Sequence, residues 1–139
     1  MPLRVRDTFF MAGTGGIGNR AGSHLMVCLV ANVREDNAIV VPIVTRRENT
    51  DLSCVLNVGD HPFLRNESCA SYDFIRAISI TGIDADIASG EIVLEAPVSA
   101  EVLVRLQIGL ITSDEVEPWA YEAAYGDKLK VVLRHRGHI

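Results

Sequence analysis

Apolar positions in the first half of the chain come as short unbroken runs. Leu25-Met26-Val27-Cys28-Leu29-Val30 is one, residues 38–44 are another, and the polar stretch between them ends in Arg34-Glu35-Asp36-Asn37, which reads as a turn. Two such runs rich in β-branched residues predict a hairpin whose strands are buried on both faces. Ser53-Cys54-Val55-Leu56-Asn57-Val58, stopped by Gly59-Asp60, is a third strand candidate, and Phe74-Ile75-Arg76-Ala77-Ile78-Ser79-Ile80, followed by Gly82, is a fourth. A polar turn is expected at residues 84–90, then a short strand at Ile92-Val93-Leu94. Residues 24–80 therefore predict a twisted antiparallel sheet.

The period changes after Pro97. Ser99 is placed to cap a helix, Glu101 suits its first turn, and Val102, Leu103, Leu106 and Leu110 form one apolar stripe. That stripe should pack on the sheet. Pro118 at a first-turn position and Gly126 at the end frame a short second helix, and Lys130-Val131-Val132-Leu133-Arg134 reads as a last strand or a tail that meets a partner. No repeat or linker divides the chain. The expectation is one domain: a glycine-rich segment at 1–22, mainly β at 23–96, helical at 97–126, and a basic tail at 127–139.

Composition excludes some classes. Of 139 residues, 48% are hydrophobic and 22% charged, and the mean hydropathy is +0.21, a balance that fits a folded domain and not a disordered chain. The longest apolar runs fall far below the roughly 20 residues needed to span a bilayer. No apolar segment follows the basic residues at the N-terminus, so no secretory signal and a cytoplasmic location are expected. Cys28, Cys54 and Cys69 are an odd number at wide spacing, which predicts free, buried thiols. A zinc site drawn from His24, Cys28, Cys54, His61 and Cys69 lacks any Cys-x2-Cys pair, and the tail pair His135 and His138 has less to support it. No metal or cofactor is expected.

The net charge of −5 would oppose a polyanionic ligand if it were spread evenly. It is not. Residues 1–80 balance eight arginines against eight acids, residues 81–127 carry −9, and residues 128–139 carry +4. The acidic stretch reads most simply as a solvated helix face.

Two motifs bear on chemistry. Gly13-Thr14-Gly15-Gly16-Ile17-Gly18 matches the dinucleotide fingerprint G-x-G-x-x-G, and Phe9-Phe10-Met11-Ala12 would be its strand, but Gly22 interrupts any following helix. A glycine-rich loop closing over a site or a partner is the better reading. The second motif, Gly59-Asp60-His61-Pro62-Phe63-Leu64-Arg65, with Ser68 and Tyr72 beyond it, packs imidazole, guanidinium and hydroxyls into one loop. Those groups suit phosphodiester cleavage without metal: a base for the 2′-hydroxyl, an acid for the leaving oxygen, a cation for the charged phosphorane. The plainer alternative is that His61 and Ser68 hold the loop by hydrogen bonds to backbone.

The order Gly22-Ser23-His24-Leu25-Met26-Val27, Val40-Val41-Pro42-Ile43-Val44-Thr45, Cys54-Val55-Leu56, Gly59-Asp60-His61-Pro62-Phe63-Leu64, Ser68 and Tyr72 resembles the divergent branch of the MazF/PemK-like toxin superfamily. The stretch from Val98 to Gly109 is similar to the helix that closes those domains. The resemblance covers roughly residues 20–112 of this chain. It implies an α+β fold, a small SH3-like twisted antiparallel barrel or sheet with one or two C-terminal helices, of the MazF/PemK/CcdB type. It also implies a homodimeric endoribonuclease toxin that cleaves single-stranded RNA and is neutralised by a cognate antitoxin. The family's Arg-Pro pair is matched here by His24-Leu25, its strand-ending Thr or Ser by Thr45, and its missing guanidinium by Arg46 and Arg47. The site expected on that basis has His24, Thr45 and His61 as catalytic groups, with Arg46, Arg47, Arg65, Ser68 and Tyr72 binding RNA; the plainer alternatives are ordinary surface charge for the arginines and a core residue with a bonded hydroxyl for Tyr72. The rival expectation is a non-catalytic SH3-like module that inhibits or scaffolds a protein through residues 13–22.

Overall fold

The computed structural model describes residues 3–12 and 23–125. The glycine-rich motif at 13–18, the binding loop expected at 13–22 and the basic tail with its expected strand lie outside the described residues.

The hairpin forms as its apolar runs predict. Strand β2 (Ser23–Asn32) pairs antiparallel with β3 (Asn37–Thr45), from Leu25↔Ile43 to Asn32↔Asn37, with a register shift between Cys28 and Val30. β1 (Thr8–Ala12) lies on the other side of β2, matching Phe10 to Leu25 and Met11 to His24. Three expected strands are shorter than predicted, β4 (Val55–Leu56), β6 (Arg76–Ile78) and β7 (Leu94–Glu95), while β5 (Ser68–Ala70) forms where only a loop was expected. Together they make a seven-stranded antiparallel sheet in the order β4-β5-β3-β2-β1-β7, with β6 also paired to β3. The fourth expected strand, Phe74 to Ile80, is trimmed at both ends: Phe74 closes a 3-10 turn at Tyr72–Phe74, and Ile80 opens a helix.

Both faces of the central hairpin are covered, so its sequence lacks polar alternation. Leu25, Val27 and Leu29 of β2 and Ile39, Val41 and Ile43 of β3 pack on one face against α2 (Ala100–Thr112) and Ala120 of α3 (Pro118–Tyr125). Met26, Cys28, Ala38 and Val40 pack on the other face with Phe9 and with Ile80 and Ile83 of α1 (Ile80–Ser89). The result is an α+β arrangement with helices on both sides of one antiparallel sheet. Helix α2 follows its apolar stripe: Ser99 accepts from the Val102 amide, and Val102, Leu106 and Leu110 are buried.

Helix α1 corrects the polar turn expected at residues 84–90. Its inward stripe is only Ile80, Ile83 and Ile87, and its start depends on a distant partner. Ser79 accepts from the Gly82 amide and donates to Asp36 in the β2–β3 turn, while Asp36 also accepts from the Thr81 amide and hydroxyl. Gly90 ends the helix at φ 85°, a left-handed conformation that glycine adopts without a Cβ clash. Among the described residues no helix is long and apolar enough to cross a membrane.

Candidate functional site

The loop between β4 and β5 is built residue by residue from its unusual sequence. Gly59 turns at φ 106°. The Asp60 carboxylate accepts from the Asn57 amide and pairs with Arg105 of α2 at 3.2 Å, and Arg105 also donates to the Val55 carbonyl. Pro62 sits inside a turn closed by the Leu64 amide on the His61 carbonyl, and Leu64 enters the core. The loop thereby displays Phe63, Arg65 and Asn66 beside the end of β3.

A cleft of about 480 Å³ opens there, where the β2–β3 pairing ends at Leu25↔Ile43. Its lining brings together His24, Thr45, Arg47, Arg65 and Ser68 of the expected site, together with Phe10, Phe63 and Phe74. Among the described residues no carboxylate lines it, although the chain carries −5 overall. Thr45 and Ser68 stand opposite one another across β3 and β5. The Ser68 hydroxyl donates to the Asn66 carbonyl at 2.9 Å, which fixes the turn into β5. The guanidinium groups of Arg47 and Arg65 are exposed and have no ion pair among the described residues.

His24 is 8% exposed, and its Nδ1 is buried with no hydrogen-bond partner among the described residues. Strand alternation sets His24 on the face of Met26 and Cys28, whereas Thr45 falls on the opposite face with Ile43. Histidine and threonine thus reach the cleft from the two sides of the parted strands. A buried imidazole nitrogen with no partner among the described residues carries a desolvation cost that their contacts do not offset.

Three expected site residues stand elsewhere. His61 is 2% exposed and both of its nitrogens are engaged: Nδ1 accepts from the Phe63 amide at 3.2 Å, and Nε2 lies 2.6 Å from the Ala96 carbonyl and 3.1 Å from the Thr8 hydroxyl. Its ring does not line the cleft, because Phe63 stacks on it at 5.7 Å and stands between. Tyr72 is fully buried and donates to the Leu106 carbonyl at 2.7 Å, so its hydroxyl is held in the core and out of reach of RNA. Arg46 lies in an adjoining surface hollow with Arg47 and is paired with Glu67, which leaves it less available to phosphate than its neighbour.

The aromatic members of the cleft were not expected. Phe10 is 39%, Phe63 44% and Phe74 46% exposed, and Phe10 meets Phe63 edge to face at 5.2 Å. A signal for Phe63 exists in its place, a large apolar residue after His-Pro inside an otherwise polar loop. The five residues of the zinc alternative are not gathered: among the described residues, no group of three or more His, Cys, Asp and Glu is placed to hold a metal ion. The three cysteines are free and buried. No family model and no curated protein matches this chain.

Proposed function

We propose that this protein is an endoribonuclease toxin of the MazF/PemK type, on an SH3-like version of the antiparallel sheet, and that the cleft beside Thr45 is where single-stranded RNA binds. The observation that carries this reading is the lining itself: among the described residues, two arginines without an ion pair and three exposed phenylalanines, with no carboxylate, on a chain of net charge −5. A guanidinium offers a forked donor that matches phosphate, and an exposed aromatic ring offers a stacking surface for an unpaired base. Duplex RNA hides the faces of its bases and fits such a lining poorly.

The chemistry assigned to the cleft is transesterification. The 2′-oxygen loses its proton and attacks the adjacent phosphorus, the bond to the 5′-oxygen breaks, and that oxygen takes up a proton. The products are a 2′,3′-cyclic phosphate and a 5′-hydroxyl. His24 is the imidazole available to move the proton, Arg47 and Arg65 balance charge on the phosphorane, and the Thr45 hydroxyl orients a phosphate oxygen. A homodimer and a cognate antitoxin belong to the same reading.

The test is incubation of the purified protein with mixed-sequence RNA in the presence of a chelator. Wild type is expected to leave cyclic-phosphate ends, His24→Ala to bind RNA without cleaving it, and Arg47→Ala with Arg65→Ala to weaken binding. Absence of cleavage by wild type, or cleavage indifferent to all three substitutions, would sink the ribonuclease reading. Binding without cleavage by wild type would favour the non-catalytic module instead.

A further inference from the structure

His61 heads the loop's distinctive motif, yet the geometry around it is that of a fixed support. An amide can only donate, so the Phe63 N–H bond makes Nδ1 an acceptor and places the ring proton on Nε2. That proton is directed to the Ala96 carbonyl, with the Thr8 oxygen beside it, while the Thr8 hydroxyl donates to the same carbonyl at 2.8 Å. The imidazole therefore bridges β1, the segment after β7 and its own loop. Neither nitrogen retains the free lone pair or directed proton that an acid or base needs. Its face supports Phe63 at an interplanar angle of 26°, and Phe63 in turn meets Phe10. Among the described residues no carboxylate or cation bonds to the ring, whose partners there are two backbone groups and one hydroxyl.

We propose that His61 is a positioning residue, which fixes Phe63 against Phe10 so that the pair forms a stacking site for one unpaired nucleobase. Its role is in binding bases and not in moving protons. The nucleobase assignment rests on the RNA reading above, but the positioning of Phe63 does not.

Two sets of measurements separate these parts. Asparagine can supply an acceptor in the place of Nδ1, whereas glutamine can supply a donor in the place of Nε2 and leaves the Phe63 amide unpaired. In RNA-free protein, nitrogen NMR of the imidazole is expected to show the Nε2–H tautomer. Amide exchange at Phe63 should stay slow in His61→Asn and speed up about tenfold in His61→Gln, the equivalent of roughly one lost hydrogen bond. An Nδ1–H tautomer, or equal protection of Phe63 in both variants, overturns the positioning role.

The second set uses a short fluorescein-labelled oligouridine and an abasic strand of the same length. His61→Gln is expected to weaken oligouridine binding about tenfold, in line with the loss of one base–aromatic stack, and to leave abasic binding unchanged. Combined with Phe63→Ala it should add nothing to the effect of Phe63→Ala alone, and cleavage at saturating RNA should keep the wild-type kcat. A fall in kcat at constant KM, with one limb of the pH profile lost, would make His61 an acid or base and end the proposal. Failure of wild type to bind either strand would end the RNA reading and the nucleobase site, while the exchange and tautomer results would still decide what His61 does.

Discussion

Tyr72 and Gly109 are fitted to one another: a Cβ placed on Gly109 would stand 2.1 Å from the Tyr72 hydroxyl oxygen and 2.8 Å from its Cζ. The phenol crosses beneath α2 to reach the Leu106 carbonyl, and the helix admits it only because residue 109 has no side chain. Gly109→Ala is expected to destabilise the protein by about 1–3 kcal/mol through overpacking, despite alanine's better helix propensity. Tyr72→Phe should cost about 1 kcal/mol, the net worth of one hydrogen bond. Urea unfolding checks both, and the double variant should recover part of the alanine cost, since the hydroxyl is the nearer of the two ring atoms in the way and Cζ remains. A stabilised Gly109→Ala would contradict the packing.

Arg47 and Arg65 should contribute to RNA affinity as separate phosphate contacts. Each alanine variant is expected to reduce the slope of log affinity against log salt by about 0.7, the value for one contact on a single strand. Arg46→Ala should change that slope less, because Glu67 already neutralises its guanidinium. A titration of labelled RNA at several salt concentrations measures this. Equal slopes for all three variants would remove the distinction between paired and unpaired arginines.

Asp51 gives the fold a defined acid sensitivity. Partial burial pushes its carboxyl upward, but hydrogen bonds from the Ser113 and Ser53 hydroxyls and the Ser53 amide outweigh that and hold it below its ordinary 3.8. A depressed folded-state value stabilises the protein above the unfolded value and loses that contribution as pH falls through the folded one. The urea midpoint of wild type should therefore drop as pH is lowered below about 4. Asp51→Asn should start lower at neutral pH and decline less steeply. An unchanged acid limb would show that the carboxylate's bonds to Ser113 and Ser53 are not what acid disrupts.

The cysteines should be inert while the protein is folded. Burial, with Asp7 adding to it, pushes the Cys28 thiol up to about 12, and burial pushes Cys54 to about 11 despite Arg105 nearby. Burial raises Cys69 as well. Because the thiolate is the reactive form, iodoacetamide near pH 8 is expected to label none of the three in native protein and all three in denaturant, the native rate following unfolding. Fast labelling of a single cysteine without denaturant would contradict the burial of that residue.

Much of this architecture is legible in the sequence where one segment decides its own structure. The unbroken runs of β2 and β3 announce strands covered on both faces, and Ser99 with Val102, Leu106 and Leu110 announces α2. What escapes is what another segment supplies. Helix α1 reads as a turn because Gly82, Asp84 and Asp86 dilute its stripe, and the side chain that completes its start is Asp36. Arg46 and Arg47 look alike in sequence, and only the position of Glu67 distinguishes them. His24, Thr45, Arg47, Arg65 and Ser68 share one cleft, but nothing in the sequence marks Phe10, Phe63 and Phe74 as its aromatic lining, because exposure depends on what the fold leaves uncovered. Tyr72 reads either as an RNA contact or as a core residue with a bonded hydroxyl, and what decides for the core is a carbonyl 34 residues away.

The reach of Asp36 also sets an order of events. Ser79 and Thr81 are 43 and 45 residues further along the chain from their carboxylate partner, and the α1 they help begin has only ten residues, too few to be stable in isolation. A peptide of residues 79–90 should accordingly be coil by circular dichroism. In the whole chain the hairpin must close before Asp36 can brace the Ser79 cap and Thr81, so a lesion in the β2–β3 turn will be felt in a helix that shares no sequence with it.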